Sequence, residues 1–439
     1  MKMNIATALK RAGLLAGVFA TLTVSAVFAQ ESARMPVSVA KQGFPFDMAL
    51  SRASSFDLPE LLAGGDSVLY SFLNMAQFMP TTIVPSSRPE KPLQIALRPE
   101  VGRVTFDSVL GRLSLDDFIA NPDAYVQSYL VIHKGRIVYQ QYPGMQPFQA
   151  HLWASNAKVL TSLVVATLVD AGKIDVTKTI GDYIPDFAGS AWADVPVQDV
   201  LDMASGLDAV ENDETRANPD SVALRLFWAV LGKPNAKGVV EKHNDVLKSA
   251  RRTGPSGQAF EYGSAMTQML VLLAEAVEQK RWAEIVQARI WSKMGVEGAL
   301  QVHLTPDGIA AGHGMISTRL RDMGRFGMLF TPSWDKAAYE QVVTATMLDN
   351  IQNGCRPEMY DKGHLGPSMA KRFQTQPVCN GWQWDAVFAD GDFYKSGLMG
   401  QGIYVSPSRD LVVAWFSANK AATVTGFSRA IATSGLFGD

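Results

Sequence analysis

The sequence is poor in cysteine and shows no excess of charge of either sign. Only two of its 439 residues are cysteine, and 40 basic residues stand against 42 acidic ones. Such a balance argues against a protein that binds nucleic acid through charge, so we expect no nucleic-acid partner. Beyond the N-terminus no apolar run is long enough to cross a membrane. A globular protein of one large or two packed domains is the class that remains.

Several common catalytic motifs are also missing. The six histidines are scattered singly, with no HExxH or paired His–carboxylate spacing, and we therefore expect no catalytic metal. No Gly-x-Ser-x-Gly elbow occurs, which counts against an α/β-hydrolase. No Gly-x-Gly-x-x-Gly follows a predicted strand, so a nucleotide cofactor is unsupported. We expect an activity that needs no cofactor.

The first residues have the pattern of an export signal. A basic head with Lys10 and Arg11 precedes a stretch of small and apolar residues, and residues 27–29 offer a cleavage site. We predict a signal peptide over residues 1–29, cleaved near Ala29, and a periplasmic or secreted protein. An uncleaved membrane anchor is the alternative.

The two cysteines, Cys355 and Cys379, lie in a stretch rich in glycine, proline, asparagine and glutamine. In an oxidising compartment a disulfide between them is expected, and it would pin a surface excursion. Two free thiols are the alternative. Two cysteines without suitably spaced histidines cannot complete a zinc site.

The order of predicted elements indicates an α/β (α+β) protein. A hairpin pattern covers 129–139, and an apolar helix pattern follows over 155–171. Residues 180–330 are mainly helical in period, and two strands follow at 401–405 and 411–416. Strands at both ends of the main body predict one antiparallel sheet that is built from both chain ends and flanked by helices.

This pattern divides the chain into segments that belong to one domain. Residues 30–124 are irregular and are expected to wrap a larger body. Residues 125–190 and 315–439 are predicted to form the sheet domain, and residues 191–314 a helical subdomain. A cleft is expected between sheet and helices.

Ser155 and Lys158 are the most informative pair. They lie three residues apart at the predicted helix start, so they share one face. A buried lysine can take the proton of a serine hydroxyl, because desolvation lowers its pKa. The alternative is an N-cap serine with a solvated lysine. The spacing itself is common, and only the Ser155 match opens a long apolar helix; the five matches begin at Ser38, Ser155, Ser333, Ser368 and Ser417.

Two later motifs complete the candidate site. Tyr262-Gly263-Ser264 stands between a turn and an apolar helix, where a phenol near a lysine ammonium is expected to have a lowered pKa and to relay protons. Lys395-Ser396-Gly397 leads through Leu398 into a strand, where glycine lets the backbone approach a ligand. A half-buried structural tyrosine and a glycine-rich strand entry are the alternatives. The polar run 211–216 is expected to be a solvated loop, with a cleft wall as the alternative.

In this order, the three motifs resemble those of the penicillin-recognising serine hydrolases. Within that superfamily the chain is most similar to class C β-lactamase-like esterases and amidases, above all to the 6-aminohexanoate-dimer hydrolase group. The resemblance implies a β-lactamase/penicillin-binding-protein fold and a small ester or amide as substrate. Class C lactamases carry Tyr-x-Asn as their second motif, whereas Ser264 stands in place of the asparagine here. This difference counts against a lactamase.

The resemblance also implies roles for residues. Ser155 would form an acyl-enzyme, with Lys158 and Tyr262 moving protons. The backbone N–H groups of Ser155 and Leu398 would hold the oxyanion. Ser264 would orient the lysine or the substrate; Lys395 and Gly397 would contribute to substrate binding. A β-lactamase or D-alanyl carboxypeptidase is the enzymatic alternative, and a catalytically idle receptor or scaffold of the same fold is the non-enzymatic one.

Overall fold

A computed structural model of the chain describes residues 35–57, 61–62 and 64–438. The predicted signal peptide lies outside these residues. Strands cluster at both ends of the main body, and helices without intervening strands fill residues 157–293 and 320–373. The described helices are Val39–Gln42, Phe46–Ser55, Asp66–Ser71, Pro99–Gly102, Leu115–Ala120, Ala157–Asp170, Ile180–Tyr183, Val197–Leu201, Asp213–Ala217, Val222–Leu231, His243–Lys248, Ser264–Glu278, Trp282–Arg289, Leu320–Met328, Trp334–Ala337, Ala345–Gln352, Pro357–Lys362, Leu365–Phe373 and Thr425–Ala432.

The larger sheet, here called the central sheet, has eight strands drawn from both ends of the main body. Its pairs are antiparallel except for the last, where Gln94–Ile95 runs parallel to its neighbour. The mixed α/β architecture and the sheet built from both ends are therefore confirmed. In spatial order the strands are Cys379–Gly381, Trp384–Val387, Phe393–Gly397, Gln401–Ser406, Leu411–Ser417, Val126–His133, Arg136–Gln141 and Gln94–Ile95.

A second sheet of four short strands was not anticipated. Its spatial order is Thr81–Val84, Leu300–His303, Ile316–Thr318 and His151–Leu152, and every pair is antiparallel. The strand Leu300–His303 falls inside residues 191–314, which were predicted to form the helical subdomain. Strands of two to four residues leave almost no periodic pattern, and their partners are distant in sequence, so local reasoning misses them. The remaining strands, Thr105–Ser108 and Gly111–Ser114, form a hairpin.

The segment before residue 125 lies along both sheets. Thr81–Val84 forms an edge of the small sheet, and Gln94–Ile95 forms an edge of the central sheet. Further upstream, the Lys41 ammonium donates to the Tyr142 carbonyl oxygen at 3.0 Å. Residues before 125 therefore contribute an edge strand to each of the two sheets, while the predicted division of the chain into segments stays a prediction.

The helix Ala157–Asp170 packs against the helices Ser264–Glu278 and Trp282–Arg289 and carries the candidate lysine. Eleven of its 14 residues are buried, among them Lys158. The helix carries valine and leucine on most of its faces, so it is buried on most sides and has no single apolar face. Within the described part of the chain, every helix is too short or too polar to traverse a lipid bilayer.

Candidate active site

Ser155 sits in a tight turn at the meeting point of the two sheets and the buried helix. The strand His151–Leu152 delivers the chain to the 3₁₀ turn Ala154–Asn156, and the helix Ala157–Asp170 follows at once. The Trp153 N–H donates to the Ile316 carbonyl oxygen at 2.8 Å, which ties the turn to the small sheet. Ala154 has a φ of 48°, an unusual backbone conformation for a residue with a side chain. Strained backbone conformations of this kind cluster at active sites and ligand-binding sites.

Lys158 reaches the serine from one turn further along. Its Nζ donates to Ser155 Oγ at 3.3 Å, to Ser264 Oγ at 2.9 Å and to the His313 carbonyl oxygen at 2.7 Å. The lysine side chain is fully buried. The predicted pair is therefore within contact distance, and the solvated-lysine alternative is wrong.

The environment of Lys158 makes it a base at neutral pH. Burial, which disfavours the ammonium, lowers its pKa from 10.5 to about 7. The Glu211 carboxylate opposes this effect, whereas the Lys395 ammonium adds to it. A group with a pKa close to the working pH is well placed to accept and return a proton.

Tyr262 lies beside both lysines, but its pKa moves opposite to the expectation. The Lys158 and Lys395 Nζ atoms lie 5.3 Å and 4.7 Å from the centre of its ring. Burial raises the pKa of the phenol well above 10, and the Asp385 and Glu211 carboxylates raise it further. The prediction of a lowered pKa is wrong, because desolvation and these two unforeseen carboxylates outweigh the hydrogen bond with Ser155 and the charge of Arg216, which lower it. Tyr262 is thus a neutral hydroxyl beside Ser155.

Glu211 is a site residue that the sequence reasoning did not identify. Its side chain is buried, and its Oε1 accepts the Ser264 N–H at 2.6 Å. Its other oxygen lies 3.3 Å from Arg216 Nη2. The run 211–216 was expected to be a solvated loop, and for Glu211 that prediction is wrong. The alternative, a wall of the cleft, agrees with the structure, in which every residue of the run except Thr215 lines the cleft. The one available signal was the acidic run itself, and nothing local shows that its first residue turns inward.

Lys395 lies behind the cleft wall. Its Nζ donates to Asp385 Oδ1 at 2.5 Å, and both side chains are fully buried. Asp385 also accepts the Ser396 N–H at 2.9 Å and the Ser396 hydroxyl. Because its ammonium is already paired, its position does not support the expected contact with substrate. Asp385 stands 10 residues earlier on a neighbouring strand, with no motif around it.

Gly397 and Leu398 lie where the end of a central strand meets the serine turn. A Cβ on Gly397 would sit 2.7 Å from Asn156 Nδ2 and 2.8 Å from the Trp153 carbonyl oxygen, so only glycine permits this approach. Both residues line the same cleft as Ser155. The predicted oxyanion residues, Ser155 and Leu398, are thus brought together, and their role stays a prediction.

The cleft over Ser155 has a volume of about 700 Å³ and mixes apolar and charged walls. A volume of this order suits a small organic substrate. The segment before residue 125, whose contribution the sequence left open, supplies Leu61, Leu62 and Phe72 to its lining. Two cationic residues, Arg372 and Lys420, also line the cleft, and both are exposed to solvent at its rim.

One wall comes from the segment between the two cysteines, here called the cap (residues 355–379). Cys355 and Cys379 are bonded in the structure, with their Cα atoms 6.0 Å apart. The cap carries two helices, and its residues lining the cleft are His364, Leu365, Ser368, Met369 and Arg372. The His364 ring contacts Glu261 Oε2 at 2.8 Å and so ties the cap to the residue preceding Tyr262. The disulfide therefore closes the segment that supplies this wall.

The described residues contain no cluster of histidine, cysteine and carboxylate side chains able to hold a metal ion.

Comparison with known proteins agrees with this geometry. A family model described as Beta-lactamase matches residues 118–433. The chain is 24% identical over 351 residues to the 6-aminohexanoate-dimer hydrolase of Paenarthrobacter ureafaciens, an alignment that covers 80% of this chain and 85% of that protein.

Two solved structures share the fold. A candidate 6-aminohexanoate-dimer hydrolase from Bacillus anthracis superposes with a TM-score of 0.67 at 21% identity, covering 84% of this chain and 92% of that one. A candidate β-lactamase from Bacteroides dorei superposes with a TM-score of 0.55 at 15% identity, covering 72% and 96%.

Proposed function

This chain belongs to the Beta-lactamase family of hydrolases, and from that membership and the geometry of its cleft we propose that it is an exported serine hydrolase. It cleaves small carboxylic esters or amides through an acyl-enzyme on Ser155. The observation that carries the proposal is the 3.3 Å contact between Lys158 Nζ, which is fully buried, and Ser155 Oγ, which lines the cleft.

In the acylation step, Ser155 Oγ attacks the substrate carbonyl carbon. Its proton passes to the neutral amine of Lys158, which has a pKa of about 7. The tetrahedral intermediate then collapses with cleavage of the ester or amide bond, and the leaving oxygen or nitrogen takes the proton from Lys158, directly or through Tyr262. Water next attacks the acyl carbonyl carbon and gives a proton to Lys158. The bond from that carbon to Ser155 Oγ breaks, Ser155 Oγ takes the proton back, and the carboxylic acid leaves.

Tyr262 supplies a proton path rather than a second base. Its raised pKa keeps the hydroxyl protonated at neutral pH, so it donates to the leaving group or passes a proton between that group and Lys158. Ser264 holds the lysine in place through its Oγ.

The developing oxyanion is stabilised by the backbone N–H groups of Ser155 and Leu398. Backbone donors fixed by a tight turn need no reorganisation when charge develops, which is why such sites accelerate acyl transfer. Gly397 supports this arrangement because it permits the close approach of the strand end to the turn.

The test is the intact mass of the exported protein before and after a fluorophosphonate probe and p-nitrophenyl butyrate, with Ser155→Ala alongside. We expect a single adduct and ester turnover in the native protein and neither in the variant. Hydrolysis retained by Ser155→Ala would refute the assignment. An absent adduct would favour an idle receptor or scaffold, and the N-terminal mass would show whether cleavage occurs near Ala29.

A β-lactamase or D-alanyl carboxypeptidase is the second candidate. The family match and the Lys-Ser-Gly motif favour it, whereas Ser264 in place of asparagine and the paired Lys395 count against it. Nitrocefin distinguishes the two. Efficient turnover would move the enzyme to the lactamases, and a stable penicillin adduct on Ser155 would indicate a penicillin-binding protein.

A further inference from the structure

The cleft contains a charged pair that none of the three motifs includes. Glu211 is almost completely enclosed, with 3% of its side chain exposed, whereas Arg216 keeps 37% of its side chain exposed. Both residues line the cleft over Ser155. Burial of a carboxylate costs free energy unless the group is paired and hydrogen-bonded. The partners of Glu211 beside the reacting groups therefore matter.

Glu211 holds the second motif at two points. Its Oε1 accepts the Ser264 N–H at 2.6 Å, and its own backbone N–H donates to the Tyr262 carbonyl oxygen, also at 2.6 Å. The backbone of Tyr262 and the backbone of Ser264, whose side chains face Lys158, are therefore both hydrogen-bonded to Glu211.

A continuous chain of contacts then leads to the base. Arg216 pairs with Glu211, Glu211 holds Ser264, and Ser264 Oγ accepts from Lys158 Nζ at 2.9 Å. The pair therefore has both a mechanical and an electrostatic route to the lysine.

We propose that Glu211 and Arg216 are positioning residues that act in opposition on Lys158, Glu211 favouring its protonated form and Arg216 its neutral form. The proposal rests on the proposed serine-hydrolase function. Neither residue is required to touch the substrate or the reacting atoms.

Other groups face the lysine, and they define what a variant can change. The neutral partners are Ser155 Oγ, Ser264 Oγ, the His313 carbonyl oxygen and the Tyr262 ring. The charges that act on Lys158 are Glu211, Lys395, Asp385 and Arg216. His313 is uncharged, because burial lowers its pKa well below 6.5.

Glu211 also acts on Lys395 and Tyr262, and Arg216 acts on Tyr262 and His364. Lys395 keeps its own partner, Asp385, when Glu211 or Arg216 is changed. The direction of each effect on Lys158 therefore follows from the charge that is removed.

Glu211→Gln removes a negative charge while keeping an acceptor for the Ser264 N–H. The ammonium form of Lys158 loses support, so the lysine becomes a base at lower pH. We expect the acidic limb of reactivity to move down by about one pH unit, the low end of what a neighbouring charge imposes.

Arg216→Gln removes the positive charge and leaves Glu211 unopposed. The acidic limb should then move to higher pH, by less than in Glu211→Gln because Arg216 is partly exposed. In the double variant the two shifts should cancel in part and leave a smaller downward shift than in Glu211→Gln. Opposite displacements from two neighbouring residues are not expected from loosened packing.

The experiment measures the rate at which a fluorophosphonate probe labels Ser155 between about pH 5 and pH 9, with kcat/KM for p-nitrophenyl butyrate as the second readout. Glu211→Asp is the matched control, since it keeps the charge and should keep the midpoint even if the rate falls. Circular dichroism verifies that each variant is folded, and the more exposed Arg216→Gln carries the test if Glu211→Gln does not fold.

Opposite midpoint shifts in the two single variants support the proposal. Slower labelling with unchanged midpoints, or shifts in the same direction, would overturn it and leave a purely structural role. These outcomes are separate from failure of the proposed function, which would appear as absent labelling of Ser155 in the native protein.

Discussion

Removal of the buried ammonium of Lys395 tests whether this residue maintains the fold or binds substrate. Lys395→Met keeps the length of the side chain but leaves the Asp385 carboxylate without its ion-pair partner. Both side chains are fully buried, so water cannot take the place of the missing ammonium. The variant therefore measures the consequence of an unpaired charge in the wall behind the cleft.

The size of the effect follows from what Asp385 retains. Removing one partner of a buried ion pair costs about 3–5 kcal/mol. Asp385 still accepts the Ser396 N–H at 2.9 Å and the Ser396 hydroxyl, which compensate part of the loss. We therefore expect the free energy of unfolding to fall by about 3 kcal/mol, the lower end of that range.

Urea unfolding followed by circular dichroism measures this change, together with KM for p-nitrophenyl butyrate. The double variant Lys395→Met/Asp385→Asn is the control, because it removes both charges and should recover the native value to within about 1 kcal/mol. If Lys395→Met raised KM while leaving stability within about 0.5 kcal/mol, the ammonium would be a substrate contact and our reasoning would be refuted.

Three further predictions concern the base, the turn and the cap. Because the pKa of Lys158 is about 7 and only its neutral form accepts a proton, kcat/KM should rise with pH through about 7, and Lys158→Ala should lower kcat by about 10²–10⁴-fold; a flat profile would contradict this role. Gly397→Ala should slow probe labelling of Ser155, because the added methyl would sit 2.8 Å from the Trp153 carbonyl oxygen; an unchanged labelling rate would show that the strand end shifts freely. Replacing Cys355 and Cys379 by serine should lower the free energy of unfolding by about 3 kcal/mol and raise KM, since the cap lines the cleft; an unchanged KM would separate the cap from substrate binding.

The elements that the sequence predicted well are those with a long and regular pattern. The hairpin and the two closing strands alternate or run apolar over five or more residues, and they form the middle of the central sheet. The buried helix begins at Ala157, two residues after the expected start, because the serine occupies a separate turn. Such elements can be recognised in the sequence because a continuous buried surface requires apolar residues at regular spacing.

The small sheet and the two site carboxylates could not be predicted for a different reason. A strand of two residues, such as His151–Leu152, is defined by its partner and not by its own pattern. Glu211 and Asp385 belong to the site only because distant segments fold against them. Glu211 stands in a polar run and Asp385 in the buried strand Trp384–Val387, and neither context shows which groups the carboxylate contacts.

These two carboxylates also explain why burial decides the pKa of the base. Every charge acting on Lys158 comes with a partner of opposite sign, since Glu211 faces Arg216 and Lys395 faces Asp385. Within each pair the effects on the lysine oppose one another, and desolvation remains the largest influence. The site therefore gains a base near neutrality without an unpaired cation beside it. A free cation would also bind anionic molecules in the cleft, so pairing Lys395 with Asp385 separates the tuning of Lys158 from the recognition of substrate.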